Sequence, residues 1–282
     1  MRQSGGVSAF GLKVAAIAGM TCNHVANVFA TAMPGWLTVA FCTFGGLTFP
    51  IMAFLLCEGY RHTSNIRRYA GRLAAFALVS QIPYSLLWGA TANVLVTLLI
   101  GLGLLWAGDQ LRNRIAYGAV VVGGVILSAW CDWGIIGPIM ILLFHSLRQR
   151  PHGVALAMLV PLLALGLPAL QWAVAEVSTA TNGTEPILAE QLMGAPKNAT
   201  IGDASIESPA QADAGASESH SIMAAPGTTA SLGTLGYYTL GFALATLLML
   251  AYNGQRGRPL KWLFYCYYPA HLLALWGLSI LW

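Results

Sequence analysis

Lys13 and His24 stand eleven residues apart in an otherwise apolar stretch. At 100° per residue that spacing returns to within ~20° of one helix stripe, about 16 Å farther along the axis. An ionisable group inside lipid costs some kilocalories per mole, so each is a functional candidate by default. A lysine at one end of such a stripe can hold an anion or snorkel to the headgroups. A histidine farther along, with an unperturbed pKa of about 6.5, can take a proton from a nucleophile or serve as a structural hydrogen bond.

A second group surrounds Glu58. Glu58 and His62 are spaced i,i+4, which puts a carboxylate and an imidazole on one helix face. Arg61 lies between them, and Arg67, Arg68 and Arg72 follow shortly after. Four arginines among aromatics can cradle a phosphate-bearing cofactor or anchor the chain to anionic headgroups. Farther on, Gln81 precedes Pro83, and Asn93 and Thr97 share a face by i,i+4 spacing. Asp132 occupies a short Cys131-Asp132-Trp133-Gly134 turn; Asn93 and Asp132 also fit helix caps. Tyr268 and His271 fall inside the last apolar stretch, with His271 near its middle.

Composition decides which elements carry these residues. Of 282 residues, 57% are hydrophobic and 9% charged, and the mean hydropathy is +0.66. Soluble domains average roughly a quarter charged residues, so a soluble enzyme, a nucleic-acid binder and a disordered scaffold are excluded. Apolar stretches at 10–32, 36–59, 69–90, 93–110, 115–131, 134–147, 153–174, 234–253 and 261–281 predict an all-α polytopic transmembrane bundle of about nine spans. Pro50 is expected to break the helix of the second stretch, and Gly45-Gly46 to admit a neighbouring backbone.

Charge then sets orientation. Arg2, Arg61, Arg67, Arg68, Arg72, Arg112, Arg114, Arg148, Arg150, Arg256, Arg258 and Lys261 all fall on one side of a nine-span layout, while the loops at 33–35, 91–92 and 132–133 contain no base. Basic short loops stay in the cytoplasm, so the N terminus is expected inside and the C terminus outside. Residues 1–174 and 233–282 form one membrane domain in this reading. Between them, 175–232 is an external loop holding seven of the ten acidic residues and lacking a helical period. Its two Asn-x-Thr triplets read as chance, and the Ala30-Thr31-Ala32 triplet does not make the first stretch a signal peptide, because Lys13 and His24 interrupt it. The five cysteines have no CxxC spacing and read as packing residues, with no metal site. No P-loop, dinucleotide fingerprint, zincin helix or G-x-S-x-G elbow is present.

The spacing Lys13-x10-His24, the run Phe49-Pro50 through Glu58-Gly59-Tyr60-Arg61-His62-Thr63, Arg68-Tyr69-x2-Arg72 and Gln81-Ile82-Pro83-Tyr84 resemble the TraX family. Asn93-x3-Thr97, Asp132-Trp133-Gly134 and Tyr268-Pro269-x-His271 continue the resemblance, which leaves out only the 175–232 insert. The resemblance implies a bacterial inner-membrane protein of pilin N-terminal acetylation or fimbrial assembly. It also implies similarity to integral-membrane acyltransferases, which carry a basic-x10-His arrangement. The implied reaction moves an acetyl group from cytoplasmic acetyl-CoA to an amine or hydroxyl of an external acceptor such as pilin or a surface glycan. Lys13, Arg61, Arg67, Arg68 and Arg72 would hold the donor's phosphates. His24 would be the general base, and Gln81, Asn93 or Tyr268 an oxyanion donor. The family usually has aspartate before the histidine; in this chain Asn23 can orient His24 by a hydrogen bond but carries no charge. A proton-coupled transporter and a non-catalytic assembly factor are the rival readings.

Overall fold

The computed structural model describes residues 5–182, 227–259 and 261–281. Each of the nine apolar stretches is helical, and among the described residues there is no strand, only two isolated β-bridges. The elements are α1 Ala9–Phe29, α2 Gly35–Gly45, α3 Thr48–His62, α4 Ile66–Trp88, α5 Val94–Gln110 and α6 Arg114–Leu127, which ends in a 3-10 turn Ser128–Trp130. They continue with α7 Ile136–Leu147, α8 Gly153–Asn182, α9 Gly227–Gly236, a π-turn Tyr237–Gly241, α10 Phe242–Leu250 and α11 Lys261–Leu281.

Among the described residues, four segments are long and apolar enough to cross a membrane: Gly35–His62, Gly153–Ser178, Thr229–Leu250 and Phe264–Leu281. Helices α1 and α4 are about as long but fall outside that set. Lys13, Asn23, His24 and Asn27 dilute the first, and Arg67, Arg68, Arg72 and Gln81 the second. A helix polar enough to miss the criterion still sits in lipid if its polar stripe faces the protein. The polar residues His24 of α1 and Arg72 of α4 do face inward.

Helix α3 is the centre of the bundle. Phe49 to Cys57 is buried almost without interruption, as expected of a helix apolar all round. Helices α1, α5, α7 and α10 pack around it, α4 pairs with α11, and α9 sits between α2 and α8. Peripheral α6 has no buried residue. Local sequence sets the ends. Ser8, Asn65, Asn93 and Asn113 each accept a backbone N–H of the first turn they cap. Gly89, at φ 79°, stops α4 in a conformation that β-carbon-bearing residues avoid.

Two expectations shift. The break in the second stretch falls at Gly46-Leu47, and Pro50 sits in the first turn of α3, where its missing N–H would have had no helical acceptor. The segment expected to be an external loop is helical at both edges, through Asn182 and again from Gly227. The acidic middle, 183–226, lies outside the described residues.

The bundle has two distinct ends. At one, the segment before α1 pairs with the α10–α11 loop: Val7 N donates to Ala251 O (2.8 Å), Asn253 N to Val7 O (3.0 Å) and Ala9 N to Gln255 O (2.8 Å). At the other, Ala92 N donates to Trp130 O (3.0 Å) and Asp132 N to Ala92 O (2.8 Å), joining two loops without a base.

A tight crossing lies where Gly46 meets the π-turn. A β-carbon on Gly46 would stand 2.0 Å from the Tyr237 carbonyl oxygen, and backbone cannot step aside cheaply. Gly46→Ala is expected to cost about 1–3 kcal/mol, read as a lowered thermal midpoint in detergent. Ala at Gly103, which meets nothing within 4 Å, is the control expected to leave that midpoint in place.

Candidate functional site

A cavity of about 680 Å³ runs through the bundle between α1, α3, α4 and α11, within the range of small-molecule sites. Lys13, Arg72 and Arg256 line one end, with His62 and Thr63 from the C-terminal end of α3. Asn23, His24, Asp132, Trp133, Tyr237 and Tyr268 line the other. The inferred stripe along α1 is therefore the wall that joins the two ends. Lys13 rests its ammonium 5.3 Å from the centre of the Phe264 ring, and Arg72 lies 6.0 Å from that of Tyr69.

At the second end, His24 Nδ1 lies 2.8 Å from His271 Nε2, with the two rings within 3° of coplanar. His271 is buried, and its Nδ1 lies 2.9 Å from the Tyr267 carbonyl. The Tyr267 ring stacks on His271 at 5.0 Å, and its hydroxyl is 2.7 Å from Thr21 Oγ1. Helices α1 and α11 are thus joined by two side-chain hydrogen bonds one turn apart. Trp88 packs on His24 at 4.8 Å. Asn23 faces the cavity but makes no hydrogen bond to His24, and its Oδ1 has no partner. Gly45 makes its room: a β-carbon there would lie 2.5 Å from the Asn23 side chain. The orienting contact expected of Asn23 comes from His271, on the far helix.

Asp132 accepts from Tyr84 at 3.0 Å and lines the cavity beside Trp133. The Tyr268 hydroxyl is buried and has no acceptor for its proton. Gln81 and Asn93 are committed elsewhere. Asn93 is fully buried, donates to Ala77 O (2.8 Å) and Gln81 Oε1 (2.9 Å), and caps α5, while Gln81 donates to Thr91 O (2.8 Å). Thr97 is fully buried against Gly137. These three stay off the cavity wall and hold α4, α5 and α7 in place.

The arginine group divides. Arg72 reaches the cavity, whereas Arg67 and Arg68 are exposed on the first turn of α4. Arg61 lies 3.7 Å from Glu58, and His62 3.9 Å. Buried Glu58 also pairs with Arg148, from the turn after α7. Sequence reading counted Arg148 and Arg256 among the loop bases that set orientation and gave them no site role. Only packing reveals that one neutralises Glu58 and the other lines the cavity. Tyr84 entered only as part of the Gln81-Ile82-Pro83-Tyr84 motif, and Trp88 and Tyr237 carry no signal in the sequence, since a lone aromatic in an apolar helix has no spacing pattern.

The sequence model described as TraX protein matches residues 8–195 and 210–279. The chain belongs to the TraX family. That match enters the 175–232 segment from both sides and leaves only 196–209 of it unmatched, so the family resemblance reaches farther than the motifs alone implied. A relative from Dichelobacter nodosus, named "Probable fimbrial assembly protein FimC, serogroup H1", is 33% identical over 158 residues. The alignment covers 51% of this chain and 64% of that protein, just under two thirds of the relative's length. No solved structure matches significantly.

Removing Glu58 from this TraX-family chain strands the Arg148 guanidinium. Breaking a buried ion pair costs about 3–5 kcal/mol, and partial exposure of Arg148 puts the cost at the low end. Glu58→Ala is expected to lower the thermal midpoint in detergent, and Glu58→Ala with Arg148→Met to recover most of the loss. Equal midpoints for wild type and Glu58→Ala would show the pair to be idle.

Proposed function

We propose that this chain is an integral-membrane acetyltransferase that moves an acetyl group from cytoplasmic acetyl-CoA to an external amine or hydroxyl. The observation that carries the reading is the single cavity joining Lys13, Arg72 and Arg256 at one end to His24 and Asp132 at the other. Three cations from three elements suit the phosphates of acetyl-CoA. They lie at the end where the basic loops gather, which positive-inside reasoning places in the cytoplasm, with about nine spans in all. The acceptor would enter from the opposite side, where the loops carry no base.

In this reading His24 removes a proton from the acceptor as its nitrogen or oxygen attacks the thioester carbonyl. The new bond forms a tetrahedral oxyanion, and the Tyr268 hydroxyl is its donor because that proton has no other acceptor. Collapse breaks the carbon–sulfur bond, and the proton on His24 passes to the leaving thiolate. Asp132, among Trp133, Tyr237 and Tyr268, supplies a carboxylate that takes the extra proton of an ammonium acceptor before attack, so that a neutral amine is presented to His24. Pilin or a surface glycan remains the proposed class of acceptor. The printed name of the Dichelobacter relative favours a second reading, a fimbrial assembly factor without catalysis.

Purified protein in nanodiscs supplied with radiolabelled acetyl-CoA and an amine-bearing peptide tests this. Transfer of label is expected, with a loss of about 10²–10⁴-fold in His24→Ala. Arg256→Ala should raise the KM for acetyl-CoA with kcat little changed, since it removes binding common to ground and transition states. No acetyl-CoA binding and no release of CoA would leave the assembly-factor reading. Orientation is tested separately with single cysteines at positions 90 and 150. In intact cells an impermeant maleimide should label the first and spare the second; the reverse pattern inverts the topology.

A further inference from the structure

We infer that His271 is the positioning residue of this site: it fixes the tautomer of His24 so that Nε2 is the basic nitrogen. The inference rests on the acyl-transfer reading for its catalytic meaning, but its geometry stands alone. A carbonyl oxygen can only accept, so His271 Nδ1, 2.9 Å from the Tyr267 carbonyl, is the nitrogen that carries hydrogen. A neutral imidazole has one N–H, so His271 Nε2 bears a lone pair. That lone pair faces His24 Nδ1 at 2.8 Å, which makes Nδ1 the donor of His24. His24 Nε2 is left with its lone pair, on a ring that lines the cavity. The assignment follows from one carbonyl and two distances.

The surroundings hold this order. The rings lie within 3° of one plane, so the hydrogen between them sits in the plane of both nitrogens' orbitals. Thr21 donates to the Ile17 carbonyl at 2.8 Å, so its oxygen receives the Tyr267 hydroxyl, and Tyr267 in turn stacks on His271. His271 is thereby set from below by its own helix and from the side by α1. When His24 Nε2 takes a proton, Nδ1–H stays on His271 and the bond becomes charge-assisted, hence stronger. No ring rotates. The proton is released from Nε2 to the thiolate, and the pair returns to its starting state. A carboxylate performs this task in other triads. In this protein the task falls to a neutral imidazole backed by a peptide carbonyl, with Asn23 taking no part.

Nitrogen NMR of ¹⁵N-histidine-labelled protein in nanodiscs reads the tautomer without turnover, with His24→Gln and His271→Gln assigning the signals among the six histidines. Wild type is expected to show His24 protonated at Nδ1 and bare at Nε2. In His271→Leu that preference should vanish, and kcat for acetyl transfer should fall about 10²-fold with the KM for acetyl-CoA unchanged, less than the ~10⁴ lost by a triad whose orienting group is charged. His271→Gln keeps a carbonyl oxygen to accept from Nδ1 and should restore kcat to within about tenfold of wild type. A His24 proton on Nε2 in wild type, or equal kcat in His271→Leu and wild type, overturns the inference. The expected tautomer in a protein that transfers no acetyl group would instead remove the acyltransferase reading and strip His271 of its catalytic role, so the two failures are distinguishable.

Discussion

A polar side chain withdrawn from water must meet another group of the protein, and lipid offers no substitute. This constraint arranges the rest of the bundle. Helix α3, apolar all round from Phe49 to Cys57, can be surrounded by apolar helices and takes the centre. Helices α1 and α4 carry polar stripes that lipid will not accept, so they turn them toward the same interior space. What results between them is a cavity with cations at one end and hydrogen-bonding groups at the other. Several of these polar residues find partners across a helix interface, as His24 does in His271 and Glu58 in Arg148, whereas Asn23 Oδ1 and the Tyr268 hydroxyl are left unpaired.

The two ends of the cavity are held by different physics. The basic end depends on charge: Glu58 gathers Arg148, Arg61 and His62, leaving Lys13, Arg72 and Arg256 to face the cavity. The other end depends on directed hydrogen bonds and packing: Asn93 and Gln81 bond each other, Tyr84 meets Asp132, and Thr97 fills a slot over Gly137. Charge tolerates motion and salt weakens it, whereas a buried hydrogen-bond network fixes positions to fractions of an ångström. A mobile, phosphate-bearing donor suits the first, and alignment of a base suits the second.

The all-helical character of the apolar stretches and the shared stripe of Lys13 and His24 were legible in the sequence because both follow from period and apolar length. The i,i+4 pairing of Glu58 and His62 was legible for the same reason. Arg148, Arg256 and the contact of His24 with His271 were not. They join residues tens to hundreds of positions apart, and nothing in a single sequence states which helices touch. The neighbour Asn23 drew attention because it is adjacent in sequence, yet adjacent helical residues point about 100° apart, and the partner came from another helix. The candidate oxyanion donors looked alike in sequence; only their hydrogen bonds separate Gln81 and Asn93, which brace α4 and α5, from Tyr268 of α11, which lines the cavity.

The hydrogen bond between His24 and His271 spans 247 positions, from the first described helix to the last. Synthesis therefore produces one half of the pair long before the other. While the ribosome is still making α8, His24 can already meet Trp88 of α4 but lacks its hydrogen bond to His271. The pair forms only when α11 packs beside α1. A chain lacking α11 would hold the cationic residues Lys13 and Arg72 but not the histidine pair, so the basic end of the cavity can form before the opposite end is complete.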